Sequence, residues 1–427
     1  MENILGLTIA LTLFILFKLD LAATILNLKA LSPTLPKEFE GIFTQEKYEQ
    51  SQEYTRTNSR FHIIESSFSL AITLGFWFYG GFGYLDIYLR SLGYGELVTG
   101  LLFISTLGFG QALLSLPFKI YSTFVIEEKF GFNKTTAKTF LIDQIKAAAL
   151  TILIGAPILA AILWIFNSVS NAWLWAWLTL TIIQLLLTYL APTYILPLFN
   201  KFEPMPEGEL KSAINDVAKK CEFPLTEIHI MDGSKRSTKS NAFFTGFGKN
   251  KKIALFDTLI ENHSTEGLVG ILAHEIGHFK CKHIIQRIIT GIIQTAAIFF
   301  LIGIVTDPES KIAQSVFQSF YIEQVSPYAG LVIFFILFAP VQTVLSIFSN
   351  LSSRKHEFEA DAYAANAQGS SEYLIDSLKK LSADNLVNLT PHPLLVFMEY
   401  SHPPMLVRIE ALRKLSFDRG AEPKGLS

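Results

Sequence analysis

The stretch Leu272-Ala-His-Glu-Ile-Gly-His-Phe-Lys280 is followed almost at once by an apolar run from Ile284 to Val305. At its centre, His274, Glu275 and His278 form an H-E-x-x-H motif. On a helix, positions i and i+4 share a face, so both imidazoles can hold one Zn²⁺ while the carboxylate between them serves as general base toward water. The apolar run is long enough to enter a bilayer. Together they point to zinc-dependent peptide hydrolysis at a membrane.

Composition supports the membrane half of that reading. Of 427 residues, 50% are hydrophobic and only 17% charged, which places the chain among polytopic membrane proteins. A net charge of −2 without a long basic tract gives nucleic acid no footing. Two cysteines, Cys221 and Cys281, exclude a disulfide framework. Cys281 lies three residues after His278, within steric reach of a metal, but is read as a small buried thiol. The run from Ile4 to Phe17 lacks the basic start and cleavage site of a signal peptide and is expected to be a retained first span. No lipidation box occurs in Ala421-Glu-Pro-Lys-Gly-Leu-Ser427, so the spans themselves are expected to anchor the chain.

Stretches of about 20 apolar residues fall near 3–28, 62–85, 97–118, 147–167, 172–195, 284–306 and 327–349. Lys37, Lys47, Arg56, Arg60, Lys119, Lys129, Lys134, Lys138, the lysine-rich loop 196–283, Arg354 and Lys355 all fall on one side of that arrangement. Arg90 and Lys311 are nearly alone on the other. The positive-inside rule then puts the N-terminus outside or lumenal, and the C-terminus and catalytic site in the cytosol. A bacterial inner membrane and an endoplasmic reticulum fit equally well. Trp164, Trp173, Trp175 and Trp177 flank a tight turn where an outer aromatic belt belongs, or are ordinary packing residues. The chain divides accordingly into a five-span region (1–195), a cytosolic catalytic element (196–283), two further spans (284–350) and a C-terminal helical segment (351–427).

The catalytic element reads as mixed α/β. Leu210, Ile214 and Val217 give Pro206 to Lys220 a helical face; Glu227 to Met231, Phe243 to Phe247 and Ile253 to Phe256 read as strands, with a hairpin turn at Gly248-Lys-Asn-Lys251. An exposed edge strand beside the motif helix would suit an extended peptide substrate. A catalytic zinc needs a third protein ligand. The segment Arg354-Lys-His-Glu-Phe-Glu-Ala-Asp361 offers Glu357 and Asp361 on one helical face, with Glu359 turned roughly 200° from Glu357. If Glu357 binds metal, Asp361 is placed to orient a ligand imidazole. His356 competes for the ligand role.

His274-Glu-Ile-Gly-His278 followed by Glu357-Phe-Glu-Ala-Asp361 resembles the Ste24-type CaaX prenyl proteases, relatives of the HtpX-type membrane proteases. The resemblance extends through Leu116 to Glu128, Gly131-Phe-Asn133, Pro197 to Phe202, Asp232 to Ser237, Ser240-Asn-Ala242, Leu255 to Thr258 and Ser401-His-Pro-Pro404. It implies a mainly α membrane protein, seven helices around a water-filled chamber, with one zinc held by His274, His278 and Glu357. It further implies Glu275 as general base, Asp361 as support, Asn241 on substrate backbone, His402 on the oxyanion and Arg408 beside it. The implied substrates are prenylated proteins or peptides cut to release the last three residues. Polar residues inside the spans, Glu65, Gln111, Gln294 and Gln342, suit such a chamber because facing lipid is costly. His283 is read as structural or interfacial. A quality-control protease with unprenylated substrates, or a non-catalytic protein that binds lipid or clears a translocation channel, are the rival readings.

Overall fold

The computed structural model describes residues 2–246 and 251–415; the turn expected at 248–250, Phe247 and the C-terminal 416–427 lie outside them. In hydrocarbon every backbone amide must be satisfied within its own segment, so apolar runs cross as helices. Seven helices are long and apolar enough: Ile4–Ala30, Gln45–Phe78, Glu96–Glu127, Ala137–Ser168, Ala172–Phe199, His283–Val305 and Pro327–Gln368.

Several outrun their hydropathy. The second was expected at 62–85 but forms a helix over Gln45–Phe78, and a separate helix, Gly81–Ser91, follows. Gly80 makes the break at φ 74°, and a Cβ at Gly81 would sit 2.6 Å from Phe76. Apolarity continues across that corner, so hydropathy alone does not see it. The seventh helix is a single element of 42 residues that passes unbroken through position 350, where the sequence reading drew a boundary. At 1.5 Å per residue it is about 63 Å long, twice a bilayer's ~30 Å hydrocarbon layer. The helix therefore outruns a bilayer's apolar layer, and its polar last turns carry Glu357 and Asp361.

Between 6% and 22% of each span's apolar window is buried, too little for a solid bundle. Glu65, Gln111 and Gln342 are exposed and Gln294 half-buried. Trp173 packs on Phe300 and Trp177 donates to the Ile292 carbonyl at 3.1 Å, whereas Trp164 and Trp175 are exposed.

The basic loops meet at one end. Lys47 pairs with Asp384, Lys379 and Arg413 with Glu38, Lys239 with Glu127 and Arg236 with Asp143. There a four-stranded sheet forms from β1 (Phe202–Pro204), β2 (Leu225–Met231), β3 (Ala242–Thr245) and β4 (Lys251–Phe256), in the order β1-β2-β4-β3. β2 and β4 are parallel and the outer pairs antiparallel. β1 was not foreseen, since three residues ending in proline carry no alternation to read.

The motif helix, Thr265–Lys280, starts where Ser264 accepts from the Gly267 amide at 3.2 Å, and ends at Cys281. Leu268 and Leu272 bury one stripe against Ile228, Ile253 and Leu255 of the sheet. Ala273 and Ile276 bury the next against Ala364 and Ile375 from the C-terminal helices. At Gly277 the motif helix touches the seventh span so closely that a Cβ would lie 2.9 Å from Ala360 Cα and 3.0 Å from its carbonyl oxygen. Both are backbone atoms, which cannot swing aside. Gly277→Ala is therefore expected to cost about 1–3 kcal/mol through overpacking and to weaken metal retention. A lowered melting temperature together with metal loss on dialysis checks this.

Candidate active site

The crossing at Gly277 fixes which side chains face each other. His274 and His278 leave the motif helix one turn apart and Glu357 comes from the seventh span, each offering a ligand atom to one group. His274 Nε2 and His278 Nε2 are 3.2 Å apart, His274 Nε2 and Glu357 Oε2 3.5 Å, and His278 Nε2 and Glu357 Oε1 3.3 Å. Ligand atoms about 2.0–2.1 Å from one tetrahedral ion are separated by roughly 3.4 Å. The two ring nitrogens and the Glu357 carboxylate, one oxygen toward each ring, are already spaced as such a site needs. His356 and Cys281 belong elsewhere: His356 faces Gln286, and Cys281 caps the motif helix.

Charge makes the same demand. Glu275, Glu357 and Asp361 bring three carboxylates into or beside the group, and Arg408, buried at its back, supplies one positive charge. Arg408 binds Asp361 through two nitrogens, Nε to Oδ2 at 2.8 Å and Nη2 to Oδ1 at 2.6 Å, and its Nη1 is 3.5 Å from Glu357 Oε2. The remaining excess of negative charge is what one divalent cation balances, since buried charges left unpaired are costly. His274 responds to that field. Its burial opposes a charge, but Asp361 and then Glu357 outweigh it and the ring is pushed up to about 9. Its Nδ1 is 2.8 Å from Asp361 Oδ1, the partner that does most to raise it.

Glu275 sits between the two histidines, and burial raises its carboxyl above the ordinary range, with His274 and His278 opposing. His402 is exposed, with Nε2 3.5 Å from Glu357 Oε1 and Nδ1 3.0 Å from Ser401 Oγ. Asn241 immediately precedes β3, the outer strand of the sheet, and its Oδ1 accepts from the Ala242 amide at 2.8 Å.

His283 and Glu359, given no catalytic part by sequence reasoning, form a layer behind His278. His278 Nδ1 is 2.9 Å from His283 Nδ1, and His283 Nε2 is 2.8 Å from Glu359 Oε2. The spacing of five residues from His278 to His283 gives no common helical face. The contact exists because Lys282 adopts φ 59° and starts a new helix in a new direction.

Residues 24–201 match the family model described as CAAX prenyl protease N-terminal, five membrane helices, and residues 204–416 match Peptidase family M48. The chain belongs to the M48 peptidases. It is 37% identical over 389 residues to CAAX prenyl protease 1 homolog of Oryza sativa subsp. japonica, covering 89% of this chain and 90% of the relative. It is 35% identical over 404 residues to CAAX prenyl protease 1 of Saccharomyces cerevisiae, covering 90% and 89%. The crystal structure of S. mikatae Ste24p is similar with a TM-score of 0.87 at 34% identity, over 95% of this chain and 98% of that one. This M48 chain is accordingly a multi-pass membrane metalloprotease.

The two glutamates of the seventh span separate in experiment. At limiting free zinc, Glu357→Ala is expected to abolish metal retention and Glu359→Ala to leave it near the wild-type level, as read by metal analysis of purified protein. The reverse pattern would break the helix-face assignment.

Proposed function

We propose that this M48 protease is a zinc metalloendopeptidase that removes the C-terminal tripeptide from prenylated CaaX proteins. The observation that carries the metal assignment is the near-tetrahedral spacing of His274 Nε2, His278 Nε2 and the Glu357 carboxylate, 3.2 to 3.5 Å edge by edge. Nitrogen and carboxylate donors in this number suit Zn²⁺. The substrate class rests on the names of relatives that match across almost the whole chain.

Held by those three residues, Zn²⁺ would supply Lewis acidity to the scissile carbonyl and to water. Glu275 takes the proton of the attacking water on its carboxylate and hands it to the leaving amine. A carboxyl raised by burial is suited to both halves of that transfer near neutral pH. His402, exposed beside Glu357, donates from its ring toward the oxygen that becomes negative. Asp361 holds His274 by charge, and Arg408 holds Asp361 and Glu357 together. The free edge of β3 offers backbone groups to an extended substrate, with Asn241 at its start. A chamber between the sparsely buried spans fits the exposed polar residues Glu65, Gln111 and Gln342.

The deciding experiment uses paired peptides, identical except for a farnesyl group on the CaaX cysteine, with Glu275→Gln as the blank. Cleavage of the lipidated peptide alone is expected. Equal cleavage of both would favour a broader membrane-quality-control peptidase, and activity surviving in Glu275→Gln would contradict the general-base assignment.

Orientation is proposed from charge. The basic segments gathered at the sheet end support a cytosolic position for that end under the positive-inside rule. A tag fused after Ser427 is then expected to be cut by added protease only from the cytosolic face, and cutting from the opposite face would invert the arrangement.

A further inference from the structure

Behind the zinc ligands lies a second group of metal-ligating side chains that the proposed reaction does not use. His283, His356 and Glu359 each offer a ligand atom within 4.8 Å of the others. His283 and His356 are both buried, at 1% and 6% exposure, and their rings stack with centroids 4.0 Å apart. The Glu359 side chain is 34% exposed and opens the group to solvent.

Hydrogen bonds fix where the lone pairs are. Gln286 donates its amide to the Cys281 carbonyl at 3.2 Å, which turns its Oε1 to His356 Nε2 at 3.0 Å. That oxygen only accepts, so His356 carries its proton on Nε2 and keeps a bare lone pair on Nδ1. This Nδ1 is buried without a hydrogen-bond partner, an arrangement that costs energy unless something binds there. Glu359 likewise only accepts, so His283 donates from Nε2 to Glu359 Oε2 and accepts on Nδ1 from His278.

We propose that His283, His356 and Glu359 form a second divalent-cation site beside the first. Two imidazoles and a carboxylate suit a borderline N/O metal, Zn²⁺ or Co²⁺ among them. The two rings are stacked, so one must tilt for both to face a single ion, and this site fills only after the first.

Full-length protein in detergent is equilibrated at rising buffered free Zn²⁺ or Co²⁺, with metal per chain and the Co²⁺ visible spectrum as readouts. Wild type is expected to rise from one metal to two. His356→Gln and Glu359→Gln should stop at one with an unchanged melting temperature, while Glu357→Ala should lose the tight equivalent and keep the weak one. Saturation of wild type at one, or a second equivalent retained in both His356→Gln and Glu359→Gln, would overturn the proposal. A tight equivalent surviving in Glu357→Ala would instead contradict the first site's ligand assignment.

Discussion

The site depends on one close contact, the crossing of the motif helix over the seventh span where Gly277 lies against the backbone of Ala360. Two histidines one turn apart present only an edge of a metal site. The third corner comes from a helix whose other end begins at Pro327, across the membrane. Only where neither side chain intervenes can the helices approach closely enough for His278 Nε2 and Glu357 Oε1 to come within 3.3 Å. The glycine of the motif is thus structural: it sets the distance that the flanking histidines use.

Electrostatics completes what packing begins. Glu357 and Asp361 are buried side by side on one helical face, an arrangement that repels itself unless cations flank it. Arg408 covers one flank with a two-toothed ion pair to Asp361, and a divalent cation suits the other. The layering continues outward, since His278 leans on His283 and His283 on Glu359. Each candidate ligand is held by a neighbour that is not itself one of the three, which is how a metal site acquires fixed geometry.

Much of this was legible in the chain. Twenty-residue apolar runs show seven spans because a bilayer imposes length and apolarity together. The H-E-x-x-H spacing marks a pair of ligands because the helical repeat is fixed. The same repeat set Glu357 and Asp361 apart from Glu359, and the structure places Glu357 with His274 and His278, and Glu359 with His283. What periodicity could not supply is anything decided across the fold. The corner at Gly80 and Gly81 is a steric event within a continuous apolar run. Residues 45–61 of the second helix are polar and carry no membrane signal. Arg408 is tied to Asp361 over 47 positions, and His402 reaches Glu357 from a loop before two prolines; only the family resemblance pointed to either. His283 was hidden by the helix break at Lys282.

The central claim is that two imidazoles and one carboxylate, brought together at that crossing, hold a single zinc. X-ray absorption at the zinc edge, on protein loaded with one equivalent, tests it most directly. A shell of nitrogen and oxygen neighbours at about 2.0–2.1 Å with imidazole back-scattering is the predicted result. A sulfur neighbour near 2.3 Å, which would bring Cys281 or Cys221 into the site, or a shell without imidazole, would contradict it.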